Sequence, residues 1–430
     1  MCSCSTTVVR KAVFSVILSL LFAIPSGAAP PAVGGHRCAY ISYADGTVEQ
    51  YSIGADGAFH PLAPASIKVG KYPNGVVPGR SGKYAYVASE EGVQQLKIDQ
   101  SGRLSYIGLC DSGDEGRPEN LVFDHTGKYA YATVSSDRGY VFQYRVANDG
   151  KLIPRSKPKV RAGGCPSRLA IHPSQPFLYV ANRWDTTVSQ YRVKSDGTLS
   201  PLSPPTVSVG GSACDIVFSH NKKYVYVTDE RSERVCMLRV NENGTLDPVS
   251  SCGYSSDHVG CCGQTKIAVA PDDKTLFITN NAGAVYEIKV THDSGPSLKF
   301  GELYGLTRDN KMRSIREIRA SAKDEIASRR AGKDEISALN AEIAVVTAGL
   351  QRPSYGTYDA DGTLYLAGKL GVLRQKIRPD GKPESLAPAV AWQDKAQRPT
   401  KGPSATNHGD DRHTIPSARN TISGLTLVER

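Results

Sequence analysis

Residues 174–204, SQPFLYVANRWDTTVSQYRVKSDGTLSPLSP, contain the pattern that decides the fold. Residues 177–181 form a short apolar run that is typical of a buried strand. Thr187–Val193 alternates apolar and polar side chains with a period of two, as a half-buried strand does. Asp196-Gly197 supplies the backbone freedom that a tight hairpin requires before the next strand. The stretch therefore predicts consecutive antiparallel strands joined by short turns.

The same pattern occurs seven times along the chain. Each unit has an aromatic residue at the centre of its anchoring strand and a hairpin glycine 16 to 19 residues later. Successive aromatics lie 45 to 51 residues apart, except the last pair, which lie 88 apart. The aromatics are Tyr40, Tyr86, Tyr131, Tyr179, Tyr226, Phe277 and Tyr365, and the glycines are Gly57, Gly102, Gly150, Gly197, Gly244, Gly295 and Gly381. A period of this length with several short strands per unit predicts an all-β, seven-bladed β-propeller with four-stranded blades.

The two ends of the repeat region predict how the ring closes. The first unit begins with its second strand, near Arg37–Tyr43, and lacks an inner strand. Residues 421–428, TISGLTLV, read as a strand with no blade of their own. We expect residues 421–430 to complete the first blade, because ring closure removes an exposed sheet edge. An array that stays open is the alternative.

The N-terminal 29 residues resemble a secretory signal peptide. Arg10 and Lys11 precede the apolar run 12–24, which is short for a membrane span, and small residues follow at 26–29. An uncleaved anchor is the alternative. We therefore predict a periplasmic or secreted protein without a stable membrane span after cleavage.

The formal net charge of +10 has no obvious focus in the sequence. Because no Lys/Arg cluster alternates with aromatic residues, we expect no nucleic-acid surface. Asp359-Ala360-Asp361-Gly362 lacks the distal Glu of a calcium loop, so we expect neither a metal ion nor another cofactor.

Cysteine spacing predicts one disulfide. Cys236 and Cys252 are equidistant from Gly244, the turn of the fifth hairpin, and would face each other across two antiparallel strands. An oxidising compartment would favour the bond. Two buried free thiols are the alternative, and the pairing of the other six cysteines stays open.

Polar residues cluster at one mouth of the predicted channel. Residues before each inner strand and after each second strand meet at the same opening of a propeller, and convergent polar groups there define a candidate site. The residues at this mouth that we predict to bind substrate are Arg183, Lys266, Asn120 and Glu90.

The units resemble the bacterial lactonase-type seven-bladed propellers, a family that includes 6-phosphogluconolactonases and muconate-lactonising cycloisomerases. YVAN and YVTD, followed by DGTL or NGTL, are typical of that family and of the related YVTN repeats. The similarity covers residues 36–300 and 353–386. It implies a small-molecule lactone or sugar ligand and hydrolysis at the channel mouth.

The resemblance also implies where the chemistry would lie. The family has Gly-Pro-Arg-His before an inner strand and a Glu sixteen residues after the Arg. The matching segment in this chain is Ser212-Ala213-Cys214-Asp215, and Glu230 lies sixteen residues after Cys214. The Arg and His positions thus hold Cys214 and Asp215. Arg168, Arg183 or Lys266 would then supply a cation from an adjacent blade.

These matches leave two functions open. Glu230, Arg168 and Asp215 are the predicted catalytic residues of a lactonase-like hydrolase. Because the Arg-His pair is replaced, the alternative is a non-catalytic propeller that binds a ligand or another protein.

The long gap between the last two units predicts an insertion. Residues 307–350 are rich in Ala, Glu, Lys and Arg, and apolar residues at 336–350 follow the 3-4-3-4 spacing of a helix. We predict an α-helical insertion that covers the pocket or recruits a protein partner, the alternative being a solvated helix on the rim. The predicted order is blades 1–6 over 30–306, the insertion, blade 7 over 351–387, a flexible linker over 388–420 and the closing strand.

Overall fold

The protein is a ring of seven antiparallel β-sheets in a computed structural model. The structure describes residues 37–111, 116–136, 139–254, 266–279, 285–292, 295–306, 312–314, 353–358, 362–368, 371–378, 383–386, 390–391 and 422–429. The predicted all-β class and seven four-stranded blades are confirmed.

Blades 1 to 4 each contain four strands, which are named in order from the channel outward. Blade 1 comprises Ile422–Glu429, Arg37–Tyr43, Thr47–Ile53 and Phe59–Lys68, and blade 2 comprises Val77–Pro78, Tyr84–Ser89, Gly92–Ile98 and Leu104–Cys110. Blade 3 comprises Arg117–Phe123, Tyr129–Ser135, Tyr140–Val146 and Leu152–Arg161, and blade 4 comprises Pro166–Ile171, Phe177–Asn182, Thr187–Val193 and Leu199–Ser208.

Blades 5 to 7 continue the ring, and the last two carry an extra short strand. Blade 5 comprises Ala213–Phe218, Tyr224–Asp229, Arg234–Val240 and Leu246–Gly253. Blade 6 comprises Lys266–Val269, Thr275–Thr279, Val285–Thr291 and Ser297–Leu306, with Met312–Ser314 outside them. Blade 7 comprises Pro353–Tyr358, Thr363–Gly368, Gly371–Ile377 and Pro383–Ser385, and Val390–Ala391 also pairs with its third strand.

The C-terminal strand occupies the innermost position of blade 1. Ile422–Glu429 pairs antiparallel with Arg37–Tyr43, and Ala39 lies opposite Leu427. This is the position at which the sequence analysis placed the closing strand. The first blade therefore combines the first and the last strand that the structure describes.

The repeated tyrosine and the repeated glycine of the sequence contact each other between adjacent blades. The Tyr179 hydroxyl of blade 4 donates to the Gly244 carbonyl of blade 5 at 2.6 Å. The same bond, at 2.5 to 2.8 Å, joins Tyr40 to Gly102, Tyr86 to Gly150 and Tyr131 to Gly197. Gly244 has φ +89°, and a Cβ there would lie 2.2 Å from the Phe177 ring. The hairpin thus requires glycine both for its backbone angle and for the close approach of the neighbouring blade.

A buried glutamine on the third strand adds a second link between blades. Gln190 of blade 4 accepts from the Leu246 amide of blade 5 at 2.6 Å and donates to the Pro204 carbonyl of its own blade. Gln50, Gln95 and Gln143 accept the equivalent bonds from Leu104, Leu152 and Leu199. We call this glutamine and the tyrosine–glycine bond together the interblade contact.

The predicted Cys236–Cys252 disulfide is absent from the structure. Both residues are free cysteines, and the register pairs Cys236 with Ser251 and Cys252 with Val235. The hairpin is centred one residue before Gly244, and a bulge beside Met237 shifts the register again. Since neighbouring residues of a strand project to opposite faces, the two thiols do not face each other.

Several predictions fall on residues that the structure does not describe. Residues 1–29, with the signal peptide, lie outside the described part, as do 307–311 and 315–350 of the predicted helical insertion. The three residues Met312–Ser314 within that insertion form a strand, so for them the helix prediction is wrong. Likewise Val390–Ala391, inside the predicted linker, is a short strand.

Within the described ranges, no helix has the length and apolar character needed to cross a membrane.

Candidate functional site

One position at the start of the inner strand forms the centre of the candidate site. It is the residue just before the buried Leu or Ile of the strand, and it is nearly inaccessible in four consecutive blades. From blade 3 to blade 6 it holds Asn120, Arg168, Asp215 and Lys266. All four were predicted from the sequence, and their equivalence explains why they lie side by side around the ring.

Asn120 and Asp215 use part of their hydrogen-bonding capacity to join blades. Asn120 Oδ1 accepts from the Leu169 amide at 3.3 Å, and Asp215 Oδ2 accepts from the Ile267 amide at 3.0 Å. The other carboxylate oxygen of Asp215, Oδ1, is buried and has no hydrogen-bond partner among the described residues. Asp215 therefore keeps one acceptor for a ligand or water.

Arg168 is a buried cation of the site. Its side chain is 4% exposed, and neither Nη1 nor Nη2 has a hydrogen-bond partner in the described part of the chain. A buried guanidinium without a partner loses its hydration and gains nothing in return. A bound anion would supply the missing acceptors.

Lys266 adds a second buried cation beside Arg168. Burial lowers the pKa of Lys266 to about 8, nearby Arg168 contributes to the lowering, and the Asp215 carboxylate acts in the opposite direction. Its charge is therefore lost near pH 8 instead of far above it.

The Glu230 carboxylate forms an ion pair with Arg183. Arg183 Nε donates to Glu230 Oε2 at 2.8 Å and Nη2 donates to Oε1 at 2.9 Å, a bidentate ion pair between blades 4 and 5. The Ser212 hydroxyl donates to the Arg183 carbonyl, and the Glu230 amide donates to the Ser212 carbonyl. We call Arg168, Arg183, Asp215, Glu230 and Lys266 the channel-mouth cluster.

Two thiols at the cluster were not predicted as site residues. Burial raises the pKa of the Cys214 thiol, while Lys266 opposes the change. Cys165 has φ +49°, and its sulfur lies 3.2 Å from the Ser135 hydroxyl. The sequence signals for them were the place of Cys165 directly before an inner strand and the place of Cys214 at the position of the family's Arg.

Glu90 is the predicted site residue that the structure keeps apart. It is exposed on blade 2, and among the described residues no hydrogen bond or ion pair joins it to the channel-mouth cluster. A groove of about 390 Å³ beside Cys236 and Arg234, between blades 4 and 5, is lined by none of the cluster residues. In the ranges that the structure describes, no group of His, Cys, Asp and Glu has the arrangement of a metal site.

Comparison with known families fits this geometry. Residues 67–215 match the family model described as Lactonase, 7-bladed beta-propeller. The predicted resemblance to lactonase-type propellers is therefore confirmed, and the matched lactonase segment includes Arg168, Arg183 and Asp215. A search of curated protein sequences found no match.

Solved structures with the same fold include two sugar-lactonase proteins. A Bacteroides fragilis protein provisionally assigned as a 6-phosphogluconolactonase is 15% identical, with a TM-score of 0.62 over 93% of this chain and 100% of that one. The Pseudomonas aeruginosa periplasmic gluconolactonase is 17% identical, with a TM-score of 0.59 over 82% of this chain and 96% of that one. At these identities the similarity is one of fold.

Proposed function

We propose that this protein is a lactonase-type hydrolase that opens a sugar lactone carrying an anionic group at the channel mouth. The observation that carries the proposal is that the buried Asp215 Oδ1 and the buried Nη1 and Nη2 of Arg168 lack partners within the described residues. An acceptor and a cation held in adjacent blades are what water activation and oxyanion binding require.

The hydrolysis can be assigned to residues of the cluster. Asp215 Oδ1 accepts a proton from water as the water oxygen attacks the lactone carbonyl carbon. Arg168 donates to the oxyanion that forms on the carbonyl oxygen. The bond from the carbonyl carbon to the ring oxygen then breaks, and the ring oxygen takes the proton back from Asp215. The product is a hydroxy acid.

The remaining cluster residues hold the substrate and the pocket. Lys266 carries a positive charge at neutral pH and attracts the anionic group of the substrate. Arg183 binds both oxygens of the Glu230 carboxylate, so Glu230 is a positioning residue in this proposal and not the base.

A second candidate is a binding propeller without turnover. Two observations favour it: Cys214 occupies the position of the family's Arg, and Glu230 is committed to Arg183. Such a protein would bind the same anionic sugar without opening a lactone.

A lactone panel separates the two candidates. Gluconolactone, glucuronolactone and 6-phosphogluconolactone are incubated with purified protein, and acid release is followed with a pH indicator. We expect turnover that falls at least 100-fold in Asp215→Asn, while Glu242→Gln, an exposed change on the blade 5 hairpin, keeps the parental rate. Binding of gluconate by calorimetry without acid release supports the second candidate, and neither binding nor turnover refutes both.

We also propose export to the periplasm or the medium, supported by the apolar run at 12–24 and the small residues at 26–29. N-terminal sequencing of the mature protein tests this, and a chain that still begins at Met1 and stays in the cytoplasm would contradict it.

A role for residues 307–350 in recruiting a protein partner stays a proposal, and a pull-down that compares the full chain with a variant lacking 307–350 would test it.

A further inference from the structure

Half of the net charge of the protein lies on one hairpin. Residues 140–161, the two outer strands of blade 3 and their turn, carry six basic residues and one acidic residue, a net charge of +5 out of +10 for the chain. The basic residues are Arg145, Lys151, Arg155, Lys157, Lys159 and Arg161, and the acidic one is Asp149. We call residues 140–161 the basic hairpin; it corrects the expectation that the charge has no focus.

The equivalent hairpins of the other blades lack this charge. Their net charges run from −1 in blades 1 and 6 to +2 in blade 7, counted over the same two outer strands and their turn. Since the seven hairpins have the same role in the fold, the fold itself does not require five positive charges in blade 3.

The cations of the basic hairpin are arranged on an exposed edge. Leu152–Arg161 is the outermost strand of its blade, so one side of its backbone faces solvent. Lys157, Lys159 and Arg161 are exposed at alternate positions. Lys159 and Arg161 lie in the regularly paired part of the strand, roughly 6.6 Å apart, and Lys157 precedes them beside a bulge. The three cations are therefore spread along one strand instead of forming a compact cluster.

Tyrosine rings hold several of these cations in place. Lys159 Nζ lies 4.7 Å and Arg161 Cζ 5.6 Å from the centre of the Tyr140 ring, and Arg155 Cζ lies 5.4 Å from that of Tyr129. Cations that already rest on aromatic faces lose less conformational freedom when they bind a partner.

We propose that the basic hairpin binds a linear acidic polysaccharide. A chain with one carboxylate or sulfate per sugar or disaccharide matches a single row of cations along one strand. A bilayer would require apolar side chains to insert, and Ile153 is the single large apolar side chain exposed on this hairpin. Single-stranded nucleic acid binds by stacking on open aromatic faces, and the Tyr129 and Tyr140 rings are covered by cations.

Binding to polygalacturonate tests the proposal on the full chain. Affinity is measured by calorimetry at low and physiological salt for the parent, for Lys157→Glu/Lys159→Glu and for Lys157→Gln/Lys159→Gln. We expect at least a tenfold loss in the Glu variant and a smaller loss in the Gln variant, with unchanged thermal midpoints. The matched control is Lys97→Glu/Arg103→Glu on the equivalent hairpin of blade 2, which should bind like the parent.

Heparin, single-stranded DNA and anionic phosphatidylglycerol vesicles complete the experiment. Tighter binding of heparin than of polygalacturonate, with the same variant sensitivity, assigns the site to sulfated chains and upholds the proposal. Three results overturn it: no polysaccharide binding at low salt, equal losses in the blade 2 control, or tighter binding of DNA or vesicles than of either polysaccharide. Lactone hydrolysis is not expected to change in the hairpin variants, so the outcome is independent of the proposed catalytic function.

Discussion

At the level of single residues, one inner-strand position serves both the fold and the candidate site. Asn120 and Asp215 there accept an amide from the next blade, whereas Arg168 makes no such bond within the described residues. Replacing an acceptor by Arg removes an interblade hydrogen bond and leaves a buried cation. Such a local cost is typical of a functional position.

Lys266 should make ligand binding dependent on pH. Because its pKa is lowered to about 8, its positive charge is present below that pH and is lost as the pH rises through it. We expect the affinity for gluconate, measured by calorimetry from pH 6 to 10, to fall several-fold across pH 8. Lys266→Arg stays charged over this range and should give a flat profile. The same decline in Lys266→Arg would contradict the assignment.

The intact Arg183–Glu230 ion pair should stabilise the protein against unfolding more than either side chain does without its partner. The two side chains are 24% and 15% exposed, so removing one leaves a mostly buried, unpaired charge. We expect Glu230→Gln to lower the free energy of unfolding by about 1–3 kcal/mol, and Arg183→Gln/Glu230→Gln to lose less than the sum of the single changes. Urea unfolding of the three variants measures the coupling. Strict additivity would mean that the pair does not stabilise the protein.

At the level of elements, the interblade contact explains why the blades dock in register. The tyrosine of one blade contacts the hairpin glycine of the next, and the glutamine accepts from the amide two residues after that glycine. In blade 5 the glutamine position holds Met237, and the Ser250 hydroxyl accepts the Leu298 amide of blade 6 instead. Blade 7 places Arg374 there, and its guanidinium donates to the Asp56 carbonyl of blade 1.

Removing one interblade glutamine should destabilise the ring. Gln143 is 3% exposed, and Gln143→Met would leave the Leu199 amide and the Lys157 carbonyl without their partner. We expect a loss of about 1–3 kcal/mol in the free energy of unfolding by urea. Gln175→Met, at an exposed turn, is the control and should change stability by less than about 0.5 kcal/mol. Equal effects of the two changes would show that the contact contributes little.

The sequence was most informative where local pattern and tertiary contact coincide. Tyr179 and Gly244 repeat at a fixed spacing because they meet across a blade boundary, so the repeat predicted the fold correctly. The inner-strand position that holds Arg168 and Asp215 could also be found from the sequence, because it recurs at the same place in successive units. The register between Cys236 and Cys252 could not be predicted. A bulge beside Met237 changes which residues lie opposite each other, and nothing in the amino-acid composition of the hairpin marks it. The Arg183–Glu230 pair was also missed, because it joins residues 47 apart in neighbouring blades.

At the level of the whole molecule, the ring depends on its last strand. Ile422–Glu429 covers the inner edge of Arg37–Tyr43 along seven residue pairs. Without it, blade 1 would present unpaired backbone groups toward the channel.

Deleting residues 421–430 should therefore lower the thermal midpoint by more than about 10 °C and promote association of the truncated chains. Differential scanning calorimetry and light scattering measure the two effects. A synthetic peptide of residues 421–430 added in excess should restore part of the loss, because it can occupy the open edge. A truncated protein that melts like the parent and stays monomeric would contradict the role of the closing strand.

The pairing of Ile422–Glu429 with Arg37–Tyr43 also determines when, during synthesis, the first blade can be completed. The strand at residues 37–43 is synthesised near the beginning, and its partner emerges 379 positions after Tyr43. At about 5–20 residues per second, the ribosome takes roughly 20–80 s to deliver that partner. During this interval the first blade is incomplete, and a chain that terminates early never closes. The completed ring therefore shows that synthesis has passed residue 429, and products that stop before residue 422 keep an open edge that chaperones and proteases can recognise.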